Sequence, residues 1–238
     1  SGRERAIVRR ARSGGSGAGF IGWTRETVGI YQIYLQRLGT TGTPSPGWPS
    51  EGMPITTIPT NRGGPALAPD GGGGVFLAWQ EYRGPTNHYD IMAQHITAAG
   101  SGGAGGALAG LGVWDTARAQ QWPHIVADGT GGVVIAWVDF RSGSSNDLYA
   151  TRVSSGGGVA WPKNGVPLCA AIGDQQWFDI TTDMAGGVFA AWFDSRAGYF
   201  VAAQHLNSAG AVAEGWEANG NSLTTSPNAS GYGQPGIA

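Results

Sequence analysis

One pattern recurs four times along this chain of 238 residues, and its period constrains the fold more than any other feature. Three copies read Asp70-Gly-Gly-Gly-Gly-Val-Phe-Leu-Ala-Trp79, Asp128-Gly-Thr-Gly-Gly-Val-Val-Ile-Ala-Trp137 and Asp183-Met-Ala-Gly-Gly-Val-Phe-Ala-Ala-Trp192. A more divergent copy, Gly17-Ala-Gly-Phe-Ile-Gly-Trp23, comes first, and the four tryptophans stand 56, 58 and 55 residues apart. Self-similarity at that period is the signature of a modular fold. Residues shared by every copy are scaffold, so what is particular to this protein should sit where the copies differ.

Each copy carries four short strand patterns and none with helical periodicity. Strand A is a short apolar run, such as Pro123-His-Ile-Val-Ala127, and strand B ends in the repeat tryptophan. Strand C alternates, as in Gln32-Ile-Tyr-Leu-Gln-Arg-Leu38 and Asp147-Leu-Tyr-Ala-Thr-Arg-Val153. Strand D follows a second tryptophan (Trp48, Trp114, Trp161, Trp216), which in three copies opens Trp-x3-Gly. Four-stranded antiparallel units repeated radially are the blades of a β-propeller. The expectation is therefore an all-β propeller with blades at about 4–58, 64–116, 122–172 and 177–228. The closing segment Gln234-Pro-Gly-Ile-Ala238 matches the opening of strand A, so it reads as the start of a further blade or as a strand offered to another chain.

The 43 glycines fit this scheme, because they gather at blade turns where positive φ is needed. A low-complexity stretch from Ala98 to Gly112 lengthens the C–D link of the second blade and is expected to form a surface loop. Eight of the ten tryptophans belong to the repeat and are expected in the core: Trp23, Trp79, Trp137 and Trp192 ending strand B, and the four opening strand D. A net charge of −2 and a pI near 6.0 give no global field toward nucleic acid or anionic lipid. No apolar run approaches a membrane span, and no segment has the pattern of a signal peptide. Five arginines crowd the first twelve residues and read either as a divergent first strand or as a basic arm. Cys169 is alone in an apolar run, which leaves no disulfide frame and no cysteine metal site and suits a small buried hydrophobe.

The polar motifs point mostly to structure. After the strand B tryptophan come Glu81-Tyr-Arg83, Asp139-Phe-Arg141 and Asp194-Ser-Arg196, an acid and an arginine placed to staple a hairpin by a guanidinium–carboxylate pair. Because these arginines repeat blade after blade, they ring the molecule and do not converge on one anion. Asp70, Asp128 and Asp183 each begin a turn with a single carboxylate, suited to capping the turn's own amides more than to holding calcium. The histidines (His88, His95, His124, His205) show no metal spacing, and neither a nucleophile elbow nor a phosphate loop is present. No cofactor, metal site or catalytic residue is assigned.

What the copies do not share is Gln120-Gln-Trp122-Pro and Gln175-Gln-Trp177-Phe, ahead of strand A in the third and fourth blades, where the second has Gly64. Strand A lies innermost in a propeller, which puts these side chains at the mouth of the central funnel. Gln121, Trp122, Gln176 and Trp177 are thus candidate ligand-binding residues: an indole stacks on a pyranose face and amides read hydroxyls. The competing reading is packing between adjacent blades.

Taken together, Asp-Gly-x-Gly-Gly-x-x-x-Ala-Trp-x-Asp-x-Arg, Asp-Ile-Tyr-Ala-Gln-Arg and Trp-x-x-Asn-Gly-Val resemble the tandem propeller repeats of large bacterial extracellular proteins, best from Pro65 to Leu223. The resemblance to sialidase-like and kelch-like blades is looser. The sialidase Asp box is not matched, and the di-glycine opens strand B instead of closing it, so no sialidase catalytic residue carries over. The resemblance implies a secreted or cell-surface location in a bacterium and a role in binding or building. The leading expectation is a non-enzymatic module for protein or glycan contacts within a larger surface assembly. The alternative is a carbohydrate-active enzyme with its site on the funnel face, and a third reading is a structural subunit joined to its neighbour through Pro235–Ala238.

Overall fold

The structure, a computed structural model, describes residues 4–12 (backbone only), 18–56, 58–83, 88–102, 111–112, 118–162, 164–224 and 235–238. They form four antiparallel four-stranded sheets, each in simple meander order. The first holds β1 (Glu4–Arg12), β2 (Gly19–Thr27), β3 (Ile30–Leu38) and β4 (Met53–Pro54). The second holds β5 (Arg62–Pro69), β6 (Val75–Arg83), β7 (His88–Ile96) and β8 (Leu111–Gly112). The third comprises β9 (Gln120–Ala127), β10 (Val133–Asp139), β11 (Asp147–Val153) and β12 (Val166–Cys169). The fourth comprises β13 (Gln175–Thr182), β14 (Val188–Asp194), β15 (Phe200–Leu206) and β16 (Asn221–Ser222). These are the four blades of a β-propeller, each with the A-B-C-D order the repeat predicts; in blade 2, however, strand D (β8) comes before Trp114 and not after it, which corrects the reading of Trp114 as the tryptophan that opens that strand. The first strands of successive blades, β1, β5, β9 and β13, touch in turn and so line the inside of the arc. Pro235–Ala238 is in no strand.

The core is three slabs, one between each pair of neighbouring blades. Phe20, Leu35 and Trp48 of blade 1 pack on Leu67, Leu77 and Trp79 of blade 2. Phe76 and Ala78 of blade 2 meet Ile135 and Trp137 of blade 3. Val134, Val138 and Trp161 of blade 3 meet Phe178, Ile180 and Trp192 of blade 4. Strand alternation produces this arrangement: each B strand turns its tryptophan face to the preceding blade and its other face to the following one.

The eight repeat tryptophans do not share one fate. Trp79, Trp137 and Trp192 are wholly buried, and Trp48 and Trp161 nearly so, whereas Trp23 and Trp216 are only half-buried. Trp23 faces away from blade 2 and Trp216 lies on the side of blade 4 away from blade 3. Neither has a further blade against it among the described residues, which corrects the expectation that all eight are core. Trp114 lies outside the described residues.

The blade turns are built as the sequence suggests. In the A–B turns the Oδ1 of Asp70 accepts the Gly72 and Gly74 amides at 2.7 and 2.8 Å, and Asp128 and Asp183 repeat this with Thr130, Gly132, Ala185 and Gly187. The second oxygen of each acid meets strand C: His95 Nε2 at 2.8 Å, Arg152 Nε at 2.7 Å and His205 Nε2 at 3.0 Å. The half-exposed strand C position is therefore tied to the Asp turn of its own blade. Among the described residues no group of three or more His, Cys, Asp or Glu is placed to hold a metal ion. The C–D turns share one bridge in all four blades (Leu38 to Pro44, Ile96 to Gly102, Val153 to Val159, Leu206 to Val212). Residues 98–102 thus keep the common turn, Leu111–Gly112 at the far end of the low-complexity stretch form strand β8, which corrects the expectation of a loop there, and residues 103–110 lie outside those described.

Candidate functional site

The acid after each strand B tryptophan points the same way as the indole two residues earlier, because strand side chains alternate. Trp137 Nε1 donates to Asp139 Oδ2 at 2.8 Å and Trp192 Nε1 to Asp194 Oδ2 at 2.9 Å, so a buried donor is satisfied within the motif. Arg141 then binds Asp139 bidentately (2.8 and 2.6 Å), and Arg196 binds Asp194 likewise (3.0 and 2.6 Å). Both guanidiniums also reach the carbonyl ahead of the strand D glycine, Asn164 O at 3.1 Å and Asn219 O at 2.6 Å. The staple thus runs from strand B to strand D as well as along the B–C turn. In blade 2 Glu81 accepts from Arg62 Nε at 2.6 Å, an arginine on strand A that fills the place of Gln120 and Gln175; the side chain of Arg83 is outside the described residues.

Burial would push the Asp194 carboxyl up, but the hydrogen bonds from Arg196 and Trp192 outweigh it and hold the group below the ordinary aspartate range. Cys169 lies against this pair, with Arg196 Nη2 at 3.3 Å, and burial pushes its thiol up to about 12. It is the inert buried residue that its sequence context implies. These groups belong to the scaffold.

The Gln-Gln-Trp segments behave differently. The register of β9 against β10 shifts between His124 and Gln121, and that of β13 against β14 shifts between Asp179 and Gln176. Each shift is a β-bulge, and the residue that takes its left-handed conformation is the tryptophan: φ is +54° at Trp122 and +47° at Trp177. Gly64 holds the same place in blade 2 with φ +61°. The bulge is therefore common to three blades, but only two set a large side chain on a backbone that favours glycine, at a cost of about 1–3 kcal/mol each. What this achieves is exposure. Trp122 is 53% and Trp177 61% exposed, in a chain whose other fully described tryptophans are buried or half-buried.

Between them, where blades 3 and 4 meet, lies a pocket of about 340 Å³ lined by Trp122, His124, Val138, Asn146, Gln176, Trp177 and Phe178. Its size falls at the lower end of the roughly 300–1,000 Å³ of small-molecule pockets. Trp177 is braced edge-on by Phe193 at 5.9 Å, and Trp122 lies tilted against Phe140 at 6.2 Å. The Trp122 amide donates to the Gln80 side chain of blade 2 at 3.0 Å, which fixes the bulge from the neighbouring blade. At the base, His124 packs on Phe178 (4.4 Å) and its Nδ1 lies 3.2 Å from Asp179. Asn146 is held through its main chain, its amide donating to Asp174 and its carbonyl accepting from the Gln175 amide.

Of the four residues the sequence nominates, Trp122, Gln176 and Trp177 come together at this pocket. Gln121 does not line it: it holds on blade 3 the position Gln176 holds on blade 4, facing a boundary where Gly64 supplies no indole. His124, Val138, Asn146 and Phe178 line the pocket without having been nominated. His124 and Phe178 each follow a bulge tryptophan by one or two residues, which is the one local signal that marks them.

No protein-family model matches this chain, and no curated protein matches it. Among solved structures it is similar to a protein of unknown function from Dyadobacter fermentans, at 12% identity over 88% of this chain and 67% of that one, with a TM-score of 0.57. It is also similar to a family 117 glycoside hydrolase produced by the marine bacterium Zobellia galactanivorans, at 13% identity over 93% of this chain and 69% of the other, with a TM-score of 0.54. At such identity the likeness shows the fold.

Proposed function

We propose that this propeller is a glycan-binding module that seats a sugar residue between Trp122 and Trp177. The observation that carries the reading is the pair of exposed indoles, each on a left-handed backbone and flanking one pocket. A chain places a bulky residue at such a φ only where the surroundings hold it, and such strain concentrates at ligand sites. Indole faces stack on the apolar faces of pyranose rings, and Gln176, Asn146 and His124 supply groups that hydrogen-bond to hydroxyls. The glycoside hydrolase among the structural neighbours makes a saccharide ligand a natural class to test first.

Binding is favoured over hydrolysis by the lining of the pocket. A glycosidase places two carboxyl groups about the bond it cleaves. The residues lining this pocket include no acid, and Asp179 beside it is engaged by His124 and by its neighbour's amide at Ile180. Display outside a bacterial cell, within a larger surface assembly, belongs to the same proposal and rests on the resemblance of the repeats.

The test is a glycan array of neutral and acidic oligosaccharides probed with the wild-type chain, followed by calorimetric titration of the strongest hit. Saturable binding that Trp122→Ala with Trp177→Ala weakens at least tenfold is the expected result. An array without a specific hit, or binding indifferent to both tryptophans, overturns the reading.

A further inference from the structure

Because the blades repeat, the pocket between Trp122 and Trp177 has a counterpart one blade earlier, at the boundary of blades 2 and 3. The strand registers identify its parts. Gln121 and Trp122 stand there as Gln176 and Trp177 stand at the pocket. Gln80, opposite Gly63, takes the place of Val138, opposite Gln121. Tyr89 takes the place of Asn146, since each precedes the aspartate that pairs with the acid of strand B (Asp90 with Glu81, Asp147 with Asp139). The strands that carry Gln80 and Tyr89, β6 and β7, both contact β9. Of the two indoles only one is missing, where Gly64 holds the place of Trp122. One boundary earlier still, Gly63 and Gly64 replace the Gln-Trp pair altogether, so the run of such places ends at blade 2.

This second boundary is more polar than the first, and its polar groups are idle. Gln80 Oε1 accepts the Trp122 amide at 3.0 Å, which leaves Nε2 of the same side chain as a donor. Among the described residues that Nε2, the side-chain amide of Gln121 and the hydroxyl of Tyr89 make no hydrogen bond, and all three side chains are half-buried. A Cβ at Gly64 would meet Gln80 Oε1 and Pro123 Cδ at an ordinary 3.7 Å. Trp122 and Trp177 show that nearly the same φ admits a large side chain, so close packing does not impose this glycine. Its effect is to keep the boundary open beside Trp122.

We infer that the boundary of blades 2 and 3 is a second subsite of the glycan site, and that the ligand is a neutral oligosaccharide whose adjacent residues occupy the two boundaries with Trp122 between them. This rests on the reading of the pocket as a sugar site. Neither the lining of the pocket nor its counterparts at the second boundary include a lysine, an arginine or a carboxylate, so neither place selects an acidic sugar. A residue seated between two indoles must be apolar on both faces, as rings of all-equatorial gluco configuration are. At the second subsite a single indole, Trp122, supplies the stacking surface. Gln80, Gln121 and Tyr89 supply the donors and acceptors that hydroxyls require.

Calorimetric titration with glucose, N-acetylglucosamine and their β-1,4-linked oligomers of two to four residues tests this. The proteins are the wild-type chain, a Gln121→Ala, Tyr89→Phe double variant and Trp177→Ala. The wild type is expected to bind the three-residue oligomer about tenfold or more tighter than the single sugar of the same series. The double variant is expected to bind the single sugar as the wild type does and to lose most of that gain, with its melting temperature unchanged. Trp177→Ala is expected to weaken single sugar and oligomer alike. A wild type that binds the single sugar through Trp177 and gains nothing with length overturns the second subsite and leaves the pocket standing. So does a gain with length that the double variant keeps. Binding of no member of either series overturns the inference as well, while the glycan array decides the pocket on its own.

Discussion

Gly165 lies flat against the rim of Trp137: a Cβ added to it would stand 2.7 Å from the ring's Cη2 and 2.9 Å from the Ala150 carbonyl. Gly52 on Trp23 and Gly220 on Trp192 repeat the relationship, which explains why the strand D motif demands glycine four residues after its tryptophan. Gly165 also has φ +72°, so an alanine there meets both a clash and a disfavoured backbone. Gly165→Ala is expected to destabilise by about 2–4 kcal/mol. A urea midpoint unchanged from wild type would show that blade 3 repacks freely around Trp137.

Trp177 offers a sharper separation of function from stability. Glycine is at ease at φ +47°, so Trp177→Gly gains back backbone strain while giving up the edge-on contact with Phe193, worth about 0.5–1.5 kcal/mol. The melting temperature should move by no more than about 4 °C while array binding is lost. Trp137→Gly, in the core, should cost about 3–5 kcal/mol. A Trp177→Gly chain as damaged as Trp137→Gly would mean that the indole is there for packing.

Acid should unfold the chain through its turn and staple carboxylates. Asp70, Asp128, Asp183 and Asp194 are all held below their ordinary value, because hydrogen bonds to their ionised forms exceed the opposing effect of burial. A depressed folded value means that the unfolded chain takes up protons first. The stability these groups contribute is complete above the unfolded value of about 3.9 and is lost as pH falls through the lower folded values. Melting temperatures should be level from about pH 6 to 5 and drop steeply below about pH 4. Asp183→Asn, which keeps the turn's shape, should shallow that drop.

Asp147 has the opposite sign. It pairs across the strands with Asp139, and burial raises its carboxyl further than its serine hydrogen bonds and Arg141 lower it. A raised folded value contributes stability at low pH that is lost as pH rises through it. Asp147→Asn is therefore expected to raise the melting temperature at pH 7 and to leave it unchanged below about pH 3. Destabilisation at neutral pH would show that the ionised group is better solvated than its burial implies.

Val28 is a β-branched residue at φ +53° in the two-residue turn between β2 and β3, followed by Gly29 at +76°. That turn takes Asn-Gly far more readily. With Val28 95% exposed, Val28→Asn loses no packing and should stabilise by about 1 kcal/mol, read as a shift in urea midpoint.

The repeat made most of the fold legible in advance. Each strand, its order within the blade and the chemistry of its turn depend on neighbours within a few residues, so Asp70, Asp128 and Asp183 announce their own hydrogen bonds and Trp137 its bond to Asp139. The exposed indoles were legible too, because Trp122 and Trp177 interrupt a pattern that Gly64 keeps. What the sequence did not contain is which blade stands beside which surface. That alone decides that Gln176 lines the pocket while Gln121, in the same local motif, does not. It decides that Trp23 and Trp216 stay half-buried while their counterparts vanish into the core. The physical reason is one and the same: backbone turns and strand alternation are set by local dihedrals and hydrogen bonds, whereas burial and pocket shape are set by contacts between blades some fifty residues apart.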